Sequence, residues 1–273
     1  MPGFHRRCTG RLALSCEGST TFRIVLLGKS GNGKSSLANT ICGETIFKVK
    51  KMNDTDSFVS EAKTKYVNDK YLTLIDTPGL FDSVRSEKEV KSEMERCFTE
   101  CAPGPHVLLI VLKVEKYTEQ EKAVVTKICQ NFSDHALDYA AVIFTHGDQL
   151  PEGMKIEEYV NQSDSLGELV EKCGGRCHVF DNRYWKNNQV ENYRSNKFQV
   201  LELLNTIDKM LMKNTGRYYT NTWLNEVERE IQKEAQLIKL SSKTCQMMRS
   251  DNRQNASSKR SSLRLQHKYG LKS

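Results

Sequence analysis

No apolar run in this sequence is long enough to cross a bilayer. One of the longest, "HVLLIVLKV" (His106–Val114), covers less than half of the roughly 20 residues that a spanning helix needs. The opening "MPGFHRRCTGRLALSCEGS" carries basic residues, but its apolar segment is too brief for a secretory signal. Residues 1–20 are therefore expected to be a flexible leader, and the protein cytoplasmic. The nine cysteines are odd in number and scattered, which excludes a fully paired disulfide scaffold. Cys97 with Cys101, and Cys173 with Cys177 beside His178, lack the usual spacings of zinc ligands, so buried or spectator thiols are expected. There is no internal repeat and no arginine-rich segment of the kind that closes over a kinase's second substrate.

What the chain does have is alternation. With 273 residues it holds one large α/β domain plus additions. "FRIVLLG", "YLTLIDTPG", "HVLLIVLKV", "YAAVIFTHGD" and "RCHVFDN" read as strands. Helical patterns fall between and after them: "KSSLANTICG", "SEKEVKSEMERCFTEC", "TEQEKAVVTKICQNF" with a Thr118/Glu121 capping box, "IEEYVNQSDSLGELVEKC" and "SNKFQVLELLNTIDKMLM". Apolar strands without alternation, separated by helices, predict a mainly parallel sheet covered on both faces, with ligands beyond the carboxyl ends of its strands. The expected organisation is an α/β P-loop nucleotide-binding domain over residues 21–213, a helical extension over 214–248 and a basic, disordered tail over 249–273. Trp223, Val227, Ile231 and Ile238 recur at helical spacing; a helix packed on the domain is expected, with a partner-binding helix as the alternative. The net charge of +7 is concentrated in the tail, which suits a solvated end or a peripheral contact with anionic membrane; nucleic acid is not an expected partner.

The chemistry begins at "GKSGNGKS". Gly28, Lys29, Ser30, Gly31, Asn32, Gly33, Lys34 and Ser35 fit G-x-x-x-x-G-K-[ST], with a strand before and a helix after, and Ser36 continues the helix start. Glycines let successive N–H groups point at one anion, the helix start adds its positive end, and Lys34 reaches the β- and γ-phosphates. Ser35 is expected to hold Mg²⁺. Asp76 and Gly79 of "DTPG" end a later strand: the aspartate suits Mg²⁺, and the glycine N–H suits a γ-phosphate that departs on hydrolysis. "FTHGD" offers Thr145, His146 and Asp148 in the place of a guanine-reading [NT]-K-x-D pattern, with His146 where lysine is usual. A carboxylate there accepts from guanine N1–H and its amine, a donor pair that adenine lacks. Asn182 of "FDNR" is a candidate partner of guanine O6.

In this order the residues resemble the immunity-associated nucleotide-binding GTPases, the GIMAP family, from about Phe22 to about Glu230. The most specific stretch is "CAPGPHVLLIVLKVEKYTEQEKAVV" (Cys101–Val125); "IDTPGLFD" and "FTHGDQL" add to it. The resemblance implies a G-domain fold, GTP/GDP and Mg²⁺ as ligands, and a homodimer or oligomer formed through the nucleotide face. It also implies a first-switch threonine as a metal ligand. That position falls on Ser57, with Thr55 nearby, and the choice between them stays open. Some members carry an arginine before "YT" that acts across a dimer; here it is Lys116, a point charge without a bidentate fork.

The candidate catalytic set is thus Lys34, Gly79 and Lys116. Leu80 follows Gly79, where many small GTPases place a glutamine that orients the attacking water, so intrinsic hydrolysis is expected to be slow. The expected function is a GTP-binding switch that assembles with nucleotide. The alternatives are a GTP-dependent scaffold without hydrolysis and, further off, a P-loop ATPase or nucleotide kinase.

Overall fold

The computed structural model describes residues 21–49, 59–80, 82, 86–185 and 191–241. Six strands form one sheet: β1 (Thr21–Leu27), β2 (Glu61–Val67), β3 (Lys70–Asp76), β4 (Val107–Lys113), β5 (Ala140–Thr145) and β6 (Cys177–Val179). Their order is β2-β3-β1-β4-β5-β6. Every pairing is parallel except β2 with β3, an antiparallel hairpin. All six β5 residues are buried, as are the first six of β4, which is why these strands read as unbroken apolar runs. Edge strand β2 alternates exposed and half-buried residues and carries Lys63 and Lys65, charges that discourage further edge pairing.

Helices cover both faces. Helix α1 (Lys34–Cys42) stops at Gly43, whose left-handed conformation (φ 71°) lets its N–H cap Thr40 O. Helix α6 (Asn196–Lys213) lies with α1 on one face, where Leu37, Ile41, Leu203 and Ile207 join Ile24, Leu26, Leu74 and Leu109 in the core. Helix α2 (Glu87–Cys101) opens on a Ser86/Glu89 capping box and α3 (Glu119–Phe132) on the expected Thr118/Glu121 box. Phe98 and Phe132 from these two helices meet edge to face at 5.3 Å.

Two local expectations change. The segment "IEEYVNQSDSLGELVEKC" is two helices, α4 (Ile156–Val160) and α5 (Asp164–Lys172). Ser163 takes an extended conformation before Asp164, so the polar turn residues restart the helix rather than continue it. After α6 the chain does not stay helical: Thr215 and Gly216 are left-handed (φ 53° and 71°), and the next helix spans residues 222–241. Compact units divide at this point, the first ending at Asn221 and the second beginning at Thr222.

Six described cysteines are free thiols. Burial pushes Cys173 and Cys177 up to about 12, which keeps them protonated and inert. Among the described residues no cluster of three His, Cys, Asp or Glu suits a metal, and no helix is long and apolar enough to cross a membrane. The expected leader and basic tail lie outside the described residues.

Candidate functional site

The phosphate loop follows β1 at the carboxyl edge of the sheet. Gly28 has φ 148°, and a Cβ there would overlap the Val111 carbonyl of β4, so the loop passes only as glycine. Gly31 and Gly33 are both left-handed (φ 81°). The buried Asn32 amide donates to Val111 O at 2.8 Å, and the Thr145 hydroxyl lies 2.9 Å from Asn32 O, so β4 and β5 both brace the loop. Lys34, 6% exposed, donates to the carbonyls of Gly28 and Lys29, each at 2.9 Å, placing its ammonium across the loop. The Lys29 ammonium reaches Gln120 at the start of α3 (3.0 Å).

Asp76 ends β3 beside the start of α1. Its Oδ2 accepts from the Ser35 hydroxyl at 2.5 Å. Its Oδ1 is buried without a hydrogen-bond partner, which is unusual for a carboxylate. Burial pushes the Asp76 carboxyl above its ordinary value, with the Ser35 hydroxyl and Lys34 ammonium pulling partly back. An acceptor left bare next to a serine hydroxyl fits a hard divalent cation such as Mg²⁺, which takes oxygen donors and keeps several waters. Ser57 and Thr55 lie outside the described residues.

Gly79 closes "DTPG" against the phosphate loop. A Cβ on Gly79 would overlap Asp82 Oδ2 and stand 2.6 Å from Ser30 N. The Leu80 side chain is 1% exposed and turned into the core.

At the other end of the cleft, His146 holds a left-handed backbone (φ 59°) with its ring exposed and Nδ1 3.0 Å from the Thr145 hydroxyl. Gly147 is the floor for Trp185, since a Cβ would stand 2.8 Å from that ring. The Asp148 N–H donates to Asp181 Oδ2 (3.0 Å), while Asp181 Oδ1 accepts from the N–H groups of Arg183 (2.7 Å) and Tyr184. Burial alone would raise the Asp181 carboxyl; its contact with the Asp148 carboxyl and these N–H groups outweigh burial and hold it below its ordinary value. Asn182 faces the phosphate loop: its amide donates to Gly33 O at 3.4 Å and accepts from Thr40 Oγ1 at 2.9 Å.

One cavity of about 500 Å³ joins the two ends, within the range of small-ligand sites. Ser30, Lys34 and Ser35 line its phosphate end, and His146, Asp148 and Asn182 its far end. Thr145 is buried behind it as a brace. Lys116 is exposed in the loop between β4 and α3 and does not line the cavity. Sequence reasoning passed over Asp181, Arg183 and Tyr184, which shape the far end. The available signal was the run "FDNR" itself, because an aspartate that accepts from N–H groups two and three residues on makes its own turn.

The AIG1 family model matches residues 22–239. "Immune-associated nucleotide-binding protein 8" of Arabidopsis thaliana is 34% identical over 212 residues, covering 76% of this chain and 58% of that protein. "GTPase IMAP family member 8" of Mus musculus is 30% identical over 204 residues, 74% of this chain but 28% of the relative. "Immune-associated nucleotide-binding protein 1" of Arabidopsis thaliana, 30% identical, is covered to 91%. The chain thus spans less than two thirds of several curated relatives that it matches. Among solved structures, Toc33 from Arabidopsis thaliana in complex with GDP and Mg²⁺ is similar, with TM-score 0.55 and 21% identity over 70% of this chain and 84% of that one. A second match concerns the chloroplast translocon components atToc33 and psToc159, for which dimerization is described as important for GTPase activity; TM-score is 0.56 and identity 20%, over 70% of this chain and 83% of that one. At these identities the structural likeness speaks for the fold.

Proposed function

The chain belongs to the AIG1 family, and from that premise we propose that it binds guanine nucleotide with Mg²⁺, hydrolyses GTP slowly, and uses the bound nucleotide to control its assembly into dimers or oligomers. The observation that carries this reading is one cavity with a phosphate loop at one end and the Asp148 carboxylate at the other. Main-chain N–H groups from Ser30 to Ser36 and the Lys34 ammonium would hold the phosphates. Ser35 and Asp76 would hold Mg²⁺, which when bound neutralises charge on the phosphate oxygens. Asp148 would read the guanine edge, kept in orientation by Asp181. His146 would stack on the base, and Asn182 would steady the phosphate loop from the far side.

Slow hydrolysis follows from Leu80. A buried leucine in the place of a water-orienting side chain offers neither a donor nor an acceptor. Acceleration would come from a second copy across the nucleotide face, where exposed Lys116 would contribute charge less effectively than arginine. The same leucine favours a second reading, a GTP-dependent scaffold that does not hydrolyse. Within either reading residues 21–213 are the nucleotide-binding domain, and the basic tail beyond residue 248 offers a peripheral contact to anionic membrane.

Competition with a fluorescent guanine nucleotide tests the base assignment: GTP should displace it, and ATP at equal concentration should not. Asp148→Asn should shift preference at least tenfold toward xanthine nucleotides, whose carbonyl replaces the guanine amine. Single-turnover cleavage across protein concentrations separates the two readings. A rate that rises with concentration supports trans activation, and no cleavage at any concentration supports the scaffold. Sizing with GDP and with a non-hydrolysable GTP analogue tests assembly, which should require the analogue.

A further inference from the structure

The phosphate loop already has an anion on it. The Ser30 N–H donates to both carboxylate oxygens of Asp82, at 3.2 and 3.3 Å. The Asp82 N–H donates to Gly79 O at 3.3 Å, which holds Asp82 beside that glycine. The carboxylate lies so close over Gly79 that any side chain at position 79 would overlap Oδ2, so the absence of a Cβ makes room for it. One negatively charged group therefore bridges the phosphate loop and the "DTPG" turn, the two elements expected to meet a γ-phosphate.

A single N–H cannot serve the Asp82 carboxylate and a phosphate oxygen at full strength, and two anions at that spacing repel. We propose that Asp82 determines nucleotide-state specificity: it is a tethered carboxylate that stands in for the terminal phosphate, tolerated with a diphosphate and displaced by a triphosphate. This rests on the guanine-nucleotide reading above. Displacement breaks the Ser30–Asp82 link. Asp82 in this way lowers triphosphate affinity relative to diphosphate.

The test is calorimetric titration of the full chain with GDP and with GMPPNP, both with Mg²⁺, for wild type, Asp82→Asn and Asp82→Ser. Neutralising Asp82 should tighten GMPPNP about tenfold, equivalent to ~1.4 kcal/mol, and leave GDP within about twofold. Two variants of different shape separate loss of charge from loss of packing, and circular dichroism checks that each folds. An unchanged ratio of the two affinities, or equal changes for both nucleotides, overturns the proposal while leaving guanine-nucleotide binding intact. Absence of binding by the wild type would instead overturn the functional reading beneath it.

Discussion

The carboxyl ends of β1, β3 and β5 leave room, whereas the opposite ends of β1 and β4 fill it. At the open end the phosphate loop and Asp148 border a cavity, and Asp76 is hydrogen-bonded to Ser35 of its lining. At the closed end the segment after α6 comes back onto the sheet. The Tyr219 N–H donates to Pro105 O at 2.8 Å, and its ring, 2% exposed, meets Phe132 and Tyr139. Arg23 donates to Gly104 O at 2.7 Å and lies over the Tyr218 ring at 5.3 Å, while its N–H donates to His106 Nδ1 at 3.0 Å. The stretch that most specifically resembles the GIMAP family, Cys101–Val125, starts at this closed end. Part of its sequence signature therefore reflects how the sheet is shut rather than how a ligand is held.

Matched glycine substitutions break the comparison most sharply. Gly28→Ala drives a methyl into Val111 O, and Gly104→Ala drives one into Tyr219 O and to 2.8 Å from the Tyr218 ring. Each should cost about 2–3 kcal/mol of stability in chemical denaturation. Only Gly28→Ala should also weaken nucleotide binding in the fraction that folds; equal effects on affinity would erase the distinction between the ends.

Asp76 gives a smaller effect of opposite sign. Burial raises its carboxyl in the folded state, so the charged form opposes folding at neutral pH, and that opposition fades as pH falls through the raised value toward the ordinary one. Without Mg²⁺, Asp76→Asn should raise the melting temperature by roughly 1–4 °C. The same variant should lose the Mg²⁺ dependence of nucleotide affinity. A lower melting temperature would argue that the carboxylate is a structural partner.

Acid should act at the packed regions first. Burial, with Arg23 beside it, lowers His106 to about 4, and burial alone lowers His178 to about 4, where it meets Thr206 Oγ1 at 3.0 Å. Both rings fold neutral and bind protons more readily when unfolded. Their contribution is intact above about 6.5 and is lost as pH falls from there toward 4. Melting curves across that window should show the loss, and His178→Gln should flatten part of it. An unchanged slope would mean that the ring titrates alike in both states.

The smallest expected change is at the open end. His146→Lys restores the usual residue of the guanine pattern and should slow nucleotide dissociation by a few-fold at most, measured by stopped-flow displacement. The change removes the His146 Nδ1 contact with the Thr145 hydroxyl but leaves that hydroxyl's bond to Asn32 O, which braces the loop.

Strands β4 and β5 were legible because burial on both faces leaves an apolar run, and the phosphate loop because its glycines keep fixed spacing. The break between α4 and α5 was not, since Gln162, Ser163 and Asp164 suit a helix surface as well as a turn. Asn182 was legible as a polar residue near the site but not in its direction, which Thr40 and Gly33 set from 142 and 149 positions away. Asp181 and Asp82 were missed for the same reason. Their partners Asp148 and Ser30 lie 33 and 52 positions distant, and although "FDNR" announces the turn at Asp181, nothing local announces either long-range pairing.

The most direct measurement is calorimetric titration of the full chain with GDP and, separately, ADP, each with Mg²⁺, repeated on Lys34→Ala. The account predicts saturable heat from GDP, at least tenfold weaker binding of ADP, and loss of the GDP signal by about 100-fold or more in the variant, because Lys34 supplies the ammonium that spans the loop. Equal affinity for both nucleotides, or a wild-type chain that binds neither, would contradict it.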